Sequence, residues 1–325
     1  MDFNQIIGHE NVIQNLKKSI EKGKVSHSYL FEGEEALGKK MVGLAFAKTL
    51  LCKEDGWEPC NKCSSCIKFD TGNHPDFQLL EPEKDSIRKE KMELLVKSIR
   101  TAPFESRRKV FIIDDSHKIT MEGQNAILKT LEEPPEFMNI ILITSSSNKL
   151  LSTILSRCQG IKFYPVENSK IINLLVNKYD KTEEESKFIA DFTKGSVGKS
   201  IELSTSKDFF NRREEVIKIV DSILKGDKLR ALTAIDFFME NKENVDEILD
   251  MLLYWFRDLI IYKEIGETDL IINKDKILVL SNQSFIDLNK INDIIEKIQE
   301  TKVNIQRNVN FQLSLEAMLL NIQEV

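Results

Sequence analysis

The sequence predicts an α/β domain built on a parallel sheet, followed by an all-helical second half. Three observations carry this reading. From about residue 26 to 163, short apolar runs alternate with helical patterns. A phosphate-loop motif follows the first of these runs. After Pro165 the strand signals fade and helical periodicity takes over.

The candidate strands are HSYLF (27–31), DFQLL (76–80), KVFII (109–113), NIILIT (139–144) and GIKF (160–163). Their near-continuous apolar character is that of strands buried on both faces. GKKMVGLAFAKTLL and MEGQNAILKTLEEPP read as helices between them, the second stopped by Pro134 and Pro135. Such strand–helix alternation implies a parallel sheet covered by helices. Residues 167–205 read as a small helical unit, with Gly195 and Gly198 marking a turn. From Phe209 the chain reads as helical throughout. Val245, Ile248, Leu249, Leu252, Phe256, Leu259 and Ile260 fall at three- and four-residue steps and form one apolar face. Residues 303–322 repeat that pattern.

At 325 residues, two or three domains are expected. The formal net charge of −6 argues against a stand-alone nucleic-acid binder, whose affinity rests on excess Lys and Arg. A subunit presenting a few basic residues to DNA within a complex is still compatible with it. No run reaches the roughly 20 apolar residues that span a bilayer. The most apolar stretch, 251–262, is interrupted by Arg257 and Asp258. The N-terminus has early acidic residues and an amphipathic pattern, unlike a signal peptide. A cytoplasmic protein is expected.

Gly33-Glu34-Glu35-Ala36-Leu37-Gly38-Lys39-Lys40 follows the first strand and opens a helix. This is the setting of the G-x-x-x-x-G-K-[S/T] phosphate loop. There the backbone N–H groups wrap phosphates, the helix N-terminus adds positive potential, and the lysine neutralises oxygens. The last position should carry a hydroxyl for Mg²⁺. It is Lys40 here, whose ammonium cannot ligate a cation. The second element of such a site, an apolar strand ending in acid, is Val110-Phe111-Ile112-Ile113-Asp114-Asp115. Asp115 is one methylene shorter than the glutamate that polarises water in one large class of these enzymes. Intact ATP hydrolysis at this site is not expected.

Cys52, Cys60, Cys63 and Cys66 have the spacing C-x₇-C-x₂-C-x₂-C. Clustering of this kind in a reducing compartment favours a metal over disulfides. Four thiolates can enclose one tetrahedral Zn²⁺ and leave no open position, so the site is structural. The ion would hold together loop 53–68, which has few apolar residues of its own.

Ser156-Arg157-Cys158 begins the turn into the last strand. Taken alone, Arg157 reads as a surface arginine paired with a carboxylate. Its other reading is an arginine aimed away from the chain's own loop, toward an adjacent subunit.

Together, G-H-E-N near the start, H-S-Y-L-F-E-G into the loop, the cysteine insert, N-A-I-L-K-T-L-E-E-P-P and I-L-S-R-C resemble the bacterial DNA polymerase III clamp-loader family of AAA+ proteins. The resemblance is specific over the first half and architectural over the second. It implies an AAA+ P-loop domain over 1–165 with a zinc-binding insert at 52–66, a helical lid over 166–206, and a helical collar for oligomerisation over 207–325. It also implies partners: gamma or tau and delta subunits in a pentameric ring, with the sliding clamp and primer-template DNA reached through the complex, and no membrane. A motor subunit of this family would have Thr at position 40, Glu at 115 and an arginine near Gly198. These departures, and the lack of a long extension after the collar, point to the family's non-hydrolysing stator, with ATP unbound or weakly bound. On that resemblance Arg157 would act in trans on a neighbour's ATP. Two alternatives stay open: an active gamma/tau-like ATPase of the same loader, and a regulatory P-loop switch that binds nucleotide without turnover.

Overall fold

The computed structural model describes residues 2–226, 228–266 and 268–324. The chain forms two compact units, Met1–Leu174 with Thr193–Ser200 and Leu175–Phe192 with Ile201–Val325.

The first unit holds a five-stranded, fully parallel sheet. Its strands are β1 (Ser28–Glu32), β2 (Phe77–Leu80), β3 (Lys109–Ile113), β4 (Met138–Thr144) and β5 (Gln159–Lys162), in the order β2-β3-β4-β1-β5. Each lies within one residue of its expected limits. Successive residues of β3 and β4 feed opposite cores, as the period of two requires. Val110, Ile112, Ile141 and Ile143 pack on one face with Phe31, Val42 and Phe46. Phe111, Ile113, Ile140 and Leu142 pack on the other with Met92, Leu95 and Ile99. Burial of each large side chain stabilises the fold by roughly 1.5–3 kcal/mol. The first face is covered by α1 (Glu10–Glu21), α2 (Lys39–Leu51) and α3 (Ser64–Asp70), and the second by α4 (Lys89–Ile99), α5 (Met121–Glu132) and the short α6 (Ser152–Leu155).

Three further helices follow, α7 (Asn168–Tyr179), α8 (Glu183–Thr193) and α9 (Val197–Thr205). Gly195, at φ +83°, makes the expected turn. Gly198 does not: it lies inside α9. The reason is packing, because a Cβ there would come within 2.9 Å of both the Cβ and the carbonyl oxygen of Ala36.

The second unit continues with α10 (Phe209–Leu224), α11 (Lys228–Glu240), α12 (Val245–Glu264), α13 (Ile277–Gln283), α14 (Leu288–Gln306) and α15 (Phe311–Glu324). The apolar face of α12 is buried as its periodicity requires, apart from Ile260, which is half-buried. Asp258 on the same helix is also buried. It accepts hydrogen bonds from the Asn273 backbone N–H and side-chain amide, both 2.8 Å, and so ties down the loop before α13. The pattern over 303–322 is not one helix. α14 ends at Gln306, Asn308 takes a left-handed φ of +59°, and α15 begins at Phe311. Apolar spacing continued across this break, and Asn, which tolerates left-handed φ, was the signal for it. Among the described residues no helix is long and apolar enough to cross a membrane.

Candidate functional site

The phosphate loop leaves β1 at Glu32, with the Gly33 N–H donating to Thr144 O at 3.2 Å. Position 33 has no room for a side chain, since a Cβ would sit 2.6 Å from the carbonyl oxygen of Phe163. Ala36 (φ +57°) and Gly38 (φ +94°) are left-handed and fold the chain into a concave turn at the start of α2. The loop's carbonyls are satisfied by the chain itself. The buried Lys39 ammonium donates to Gly33 O at 2.6 Å and to Glu34 O. Ser196 Oγ donates to Glu35 O at 3.2 Å, and the Gly198 N–H to Ala36 O at 2.8 Å. His9 Nε2 lies 2.7 Å from Leu37 O. Burial lowers the His9 pKa against the opposing pull of that carbonyl and of Glu10, and since a carbonyl only accepts, Nε2 is the donor. The backbone N–H groups of residues 34–41 have no acceptor among the described residues.

The acid strand delivers Asp114 to the same place. Lys40 Nζ is 3.1 Å from Asp114 Oδ2 and also pairs with Glu81, just beyond β2. Burial lowers the Lys40 pKa, but the hydrogen bonds its ammonium donates to these two carboxylates outweigh it and leave the group above the ordinary lysine value. Asp115 adopts a left-handed φ of +46°, and its carboxylate is taken by Lys118 Nζ at 2.9 Å. The structure therefore brings Gly33, Gly38, Lys39, Lys40 and Asp114 together, and gives Asp115 a partner outside the loop. His9, Glu81 and Ser196 were not singled out from sequence. His9 stood within the G-H-E-N motif, but the partner that gives it a role is 28 residues away.

The four clustered cysteines converge. Their sulfurs all lie within 4.8 Å of one another, with Cys52–Cys63 and Cys60–Cys66 each at 4.0 Å. A tetrahedral zinc with Zn–S bonds of about 2.3 Å places its sulfurs about 3.8 Å apart, so the donor set fits. The N–H groups of Cys60, Cys63 and Cys66 each donate at 3.4 Å to the sulfur of the preceding cysteine, favouring thiolates. Burial opposes ionisation of Cys63, yet N–H groups of Lys53 and Cys66 pull its pKa down to about 6. Cys66 goes the other way, pushed up by burial and by neighbouring thiols. One thiolate forms readily, and a full set requires a cation. Lys48 braces the cluster from α2. Its fully buried ammonium donates to Asn61 Oδ1 at 2.6 Å and Asp70 Oδ2 at 2.7 Å.

Arg157 follows α6. Ser28 Oγ, at the start of β1, donates to the Arg157 carbonyl at 2.8 Å. The phosphate loop leaves the other end of β1, four residues and about 13 Å away at ~3.3 Å per residue. Arg157 thus lies at the opposite end of its own sheet from the loop. Its guanidinium is one-third exposed and donates to Glu132 Oε1 and Thr153 O at 2.8 and 2.9 Å. This is the surface pairing that the residue alone suggested. Cys158 beside it is half-buried, and burial pushes its pKa up to about 11.

The family described as DNA polymerase III, delta subunit matches residues 8–167, and that described as DNA polymerase III, delta subunit, C terminal matches residues 207–324. DNA polymerase III subunit delta' of Bacillus subtilis (strain 168) is 33% identical over 318 residues, covering 96% of this chain and 95% of that protein. Subunit tau of the same organism is 27% identical over 297 residues, covering 85% of this chain and 53% of tau. Among solved structures, a gamma subunit-related protein of Thermotoga maritima gives a TM-score of 0.46 at 17% identity, covering 96% of this chain and 98% of that one.

Proposed function

This chain belongs to the delta-prime family of DNA polymerase III clamp-loader subunits, and we propose that within such a loader it is a non-hydrolysing stator. The observation that carries this reading is the Lys40 ammonium, paired with Asp114 and Glu81 where a phosphate loop needs a hydroxyl for Mg²⁺. Two further features favour it over an active gamma/tau-like motor. The Asp115 carboxylate is taken by Lys118, and Gly198, packed on Ala36, leaves no space for a lid arginine.

The same reading gives Arg157 a role in trans. Its position at the far end of β1 from its own loop, with a partly exposed guanidinium, supports a target on a neighbouring gamma or tau subunit. The Glu132 pairing is then a resting position, exchanged for the γ-phosphate of that neighbour. Residues 166–206 and 207–325 serve as lid and collar, and the ring with delta reaches the sliding clamp and primer-template DNA. The cysteine cluster holds a structural Zn²⁺.

Arg157→Ala in a loader reassembled from purified subunits tests this. The variant should join the complex normally, while ATP turnover by the motor subunits falls in part, because other sites receive arginines from other subunits. Arg157→Lys should rescue little, since a point-charge ammonium does not reproduce the guanidinium fork. Turnover and clamp loading unchanged in Arg157→Ala would reduce the residue to a surface arginine and the chain to a scaffold.

A further inference from the structure

Arg157 is held at two points, and the two differ in strength. Its backbone is fixed from the core. Ser28 Oγ, on a fully buried residue at the start of β1, donates to the Arg157 carbonyl at 2.8 Å, and the Arg157 N–H donates to Ile154 O at 3.1 Å. Its guanidinium is held at the surface. Nη2 donates to Glu132 Oε1 at 2.8 Å, while Nη1 donates to Thr153 O at 2.9 Å and to Ser156 Oγ at 3.3 Å. Both ends of the fork therefore face acceptors of this chain. The root of the side chain cannot shift without disturbing the sheet, but its tip can be released.

The acceptor on Nη2 is the one that carries charge. Glu132 is the last residue of α5, with Glu133 after it, at the negative end of the helix dipole, where acids are disfavoured. Helix formation gives no reason for a carboxylate there, whereas the Arg157 ion pair gives one. The Glu132 side chain is 48% exposed and that of Arg157 33%, so the pair is weak and readily broken. A carboxylate and a phosphate are read by the same bidentate N–H fork. Were Glu132 to keep its hold on a guanidinium that binds a γ-phosphate, the two anions would be pressed against each other. The carboxylate is therefore a competitor for the arginine.

We infer that Glu132 is a latch on Arg157: its carboxylate occupies the guanidinium fork until the phosphate chain of a neighbouring subunit's ATP displaces it. The inference rests on the trans reading of Arg157, and deepens it by naming what regulates that arginine. Glu132 is a positioning residue that acts only through Arg157, and no covalent bond is made or broken. A latched arginine slows the neighbour's hydrolysis according to the fraction of time it is engaged elsewhere. For an exposed pair this amounts to a few-fold at most, far below the roughly 10³–10⁵ that an arginine finger contributes. The latch tunes the rate without abolishing it.

Single-turnover ATP hydrolysis by a loader reassembled from purified subunits tests the latch. The Arg157-dependent part of the rate is the part that Arg157→Ala removes. Glu132→Gln keeps the size of the side chain and removes its charge, and should raise that part about two- to fivefold. The gain should shrink as salt is added, because screening loosens the latch in the wild-type chain as well. It should vanish when Glu132→Gln is combined with Arg157→Ala, and Glu133→Gln beside it should produce none. A rate unchanged or lowered by Glu132→Gln would overturn the latch, as would a gain that is indifferent to salt or that persists without Arg157. Were Glu132→Gln to assemble poorly, Glu132→Asp, one methylene shorter, would serve instead. Part of the gain is expected there, and its absence would count equally against the latch. The two readings fail separately. Arg157→Ala without effect sinks the trans role itself, whereas a loss in Arg157→Ala with no gain in Glu132→Gln sinks the latch alone.

Discussion

At Cys52, Cys60, Cys63 and Cys66 four sulfurs converge, and the hydrogen bonds that reach them come from backbone N–H groups. At the end of β3, Asp114 and Glu81 converge as well, but on the ammonium of Lys40. Both places gather anionic ligands around the space for one cation. In the first, among the described residues, no cationic side chain donates to the sulfurs, and their spacing suits a metal ion. In the second the chain brings its own cation. The difference teaches what a ligand set can reveal. A complete one signals dependence on its ion, whereas one closed by a side chain signals that the ion's role has been taken over.

The largest expected effect comes from removing the metal. Loop 53–63 has little core of its own beneath the cysteines, so a zinc ion held there, as proposed, would contribute folding free energy. Purified protein should contain about one zinc per chain by elemental analysis. A chelator, or Cys63→Ser, should remove it and lower the unfolding midpoint by several degrees, with a loss of several kcal/mol. Equal midpoints with and without metal would remove the contrast between the two regions.

Next in size is Asp70→Asn. Lys48 is fully buried, and its ammonium relies on Asp70 and Asn61. Removing the carboxylate leaves a buried charge without a counter-ion, which costs about 3 kcal/mol where a buried pair is broken. Asp70 is 42% exposed, so the variant residue itself is easily solvated and the cost falls on Lys48. Chemical denaturation should show the loss, and restoring neutrality with Lys48→Met in the same chain should recover part of it.

How far these regions were legible from sequence depends on how local their partners are. The sheet was legible because β3 and β4 are buried on both faces, which leaves apolar runs with few interruptions. The cysteine cluster was legible because three of its four ligands fall within seven consecutive residues, 60 to 66. The phosphate loop could be recognised, and its missing hydroxyl read directly at Lys40. What Lys40 does instead was hidden, because Glu81 is 41 residues away. The caps on the loop's carbonyls were hidden for the same reason: Ser196 lies 161 residues from Glu35. The Gly198 turn failed, and the break within 303–322 was missed, because local signals, a glycine and an apolar period, served a different tertiary purpose.

A smaller effect is expected at Lys40 itself. The side chain is more than a third exposed, so its ion pairs are screened, and Lys40→Met should cost at most about 1 kcal/mol. The pH dependence has a definite sign. A lysine whose folded pKa lies above its unfolded value contributes stability that is complete below the unfolded pKa of about 10.4. That contribution is lost as the pH rises through the folded value. The stability gap between wild type and Lys40→Met should therefore hold steady from pH 7 to about 10 and close above it. A gap that closes near neutrality would mean that Lys40 is not the cation balancing Asp114 and Glu81.

The smallest effect expected is none at all, in ATP turnover by Lys40→Thr. The substitution restores the hydroxyl for Mg²⁺ and frees Asp114 from its ammonium, so the metal could return. Hydrolysis needs more than the metal, because a water must be polarised and the developing charge on the γ-phosphate stabilised. Asp115 is short for the first task, and its carboxylate is already held by Lys118 at 2.9 Å. On the proposed stator reading the second would need an arginine near position 198, which is glycine, and even a Cβ there would meet Ala36 at 2.9 Å. Its N–H also donates to Ala36 O, so a larger residue would push against the loop it should serve. Phosphate release by purified Lys40→Thr should stay at the background of the wild-type chain, even where Mg²⁺-dependent binding appears. Turnover on restoring this one hydroxyl would mean that Asp115 and Gly198 are no obstacle, and that Lys40 alone separates this site from a working one.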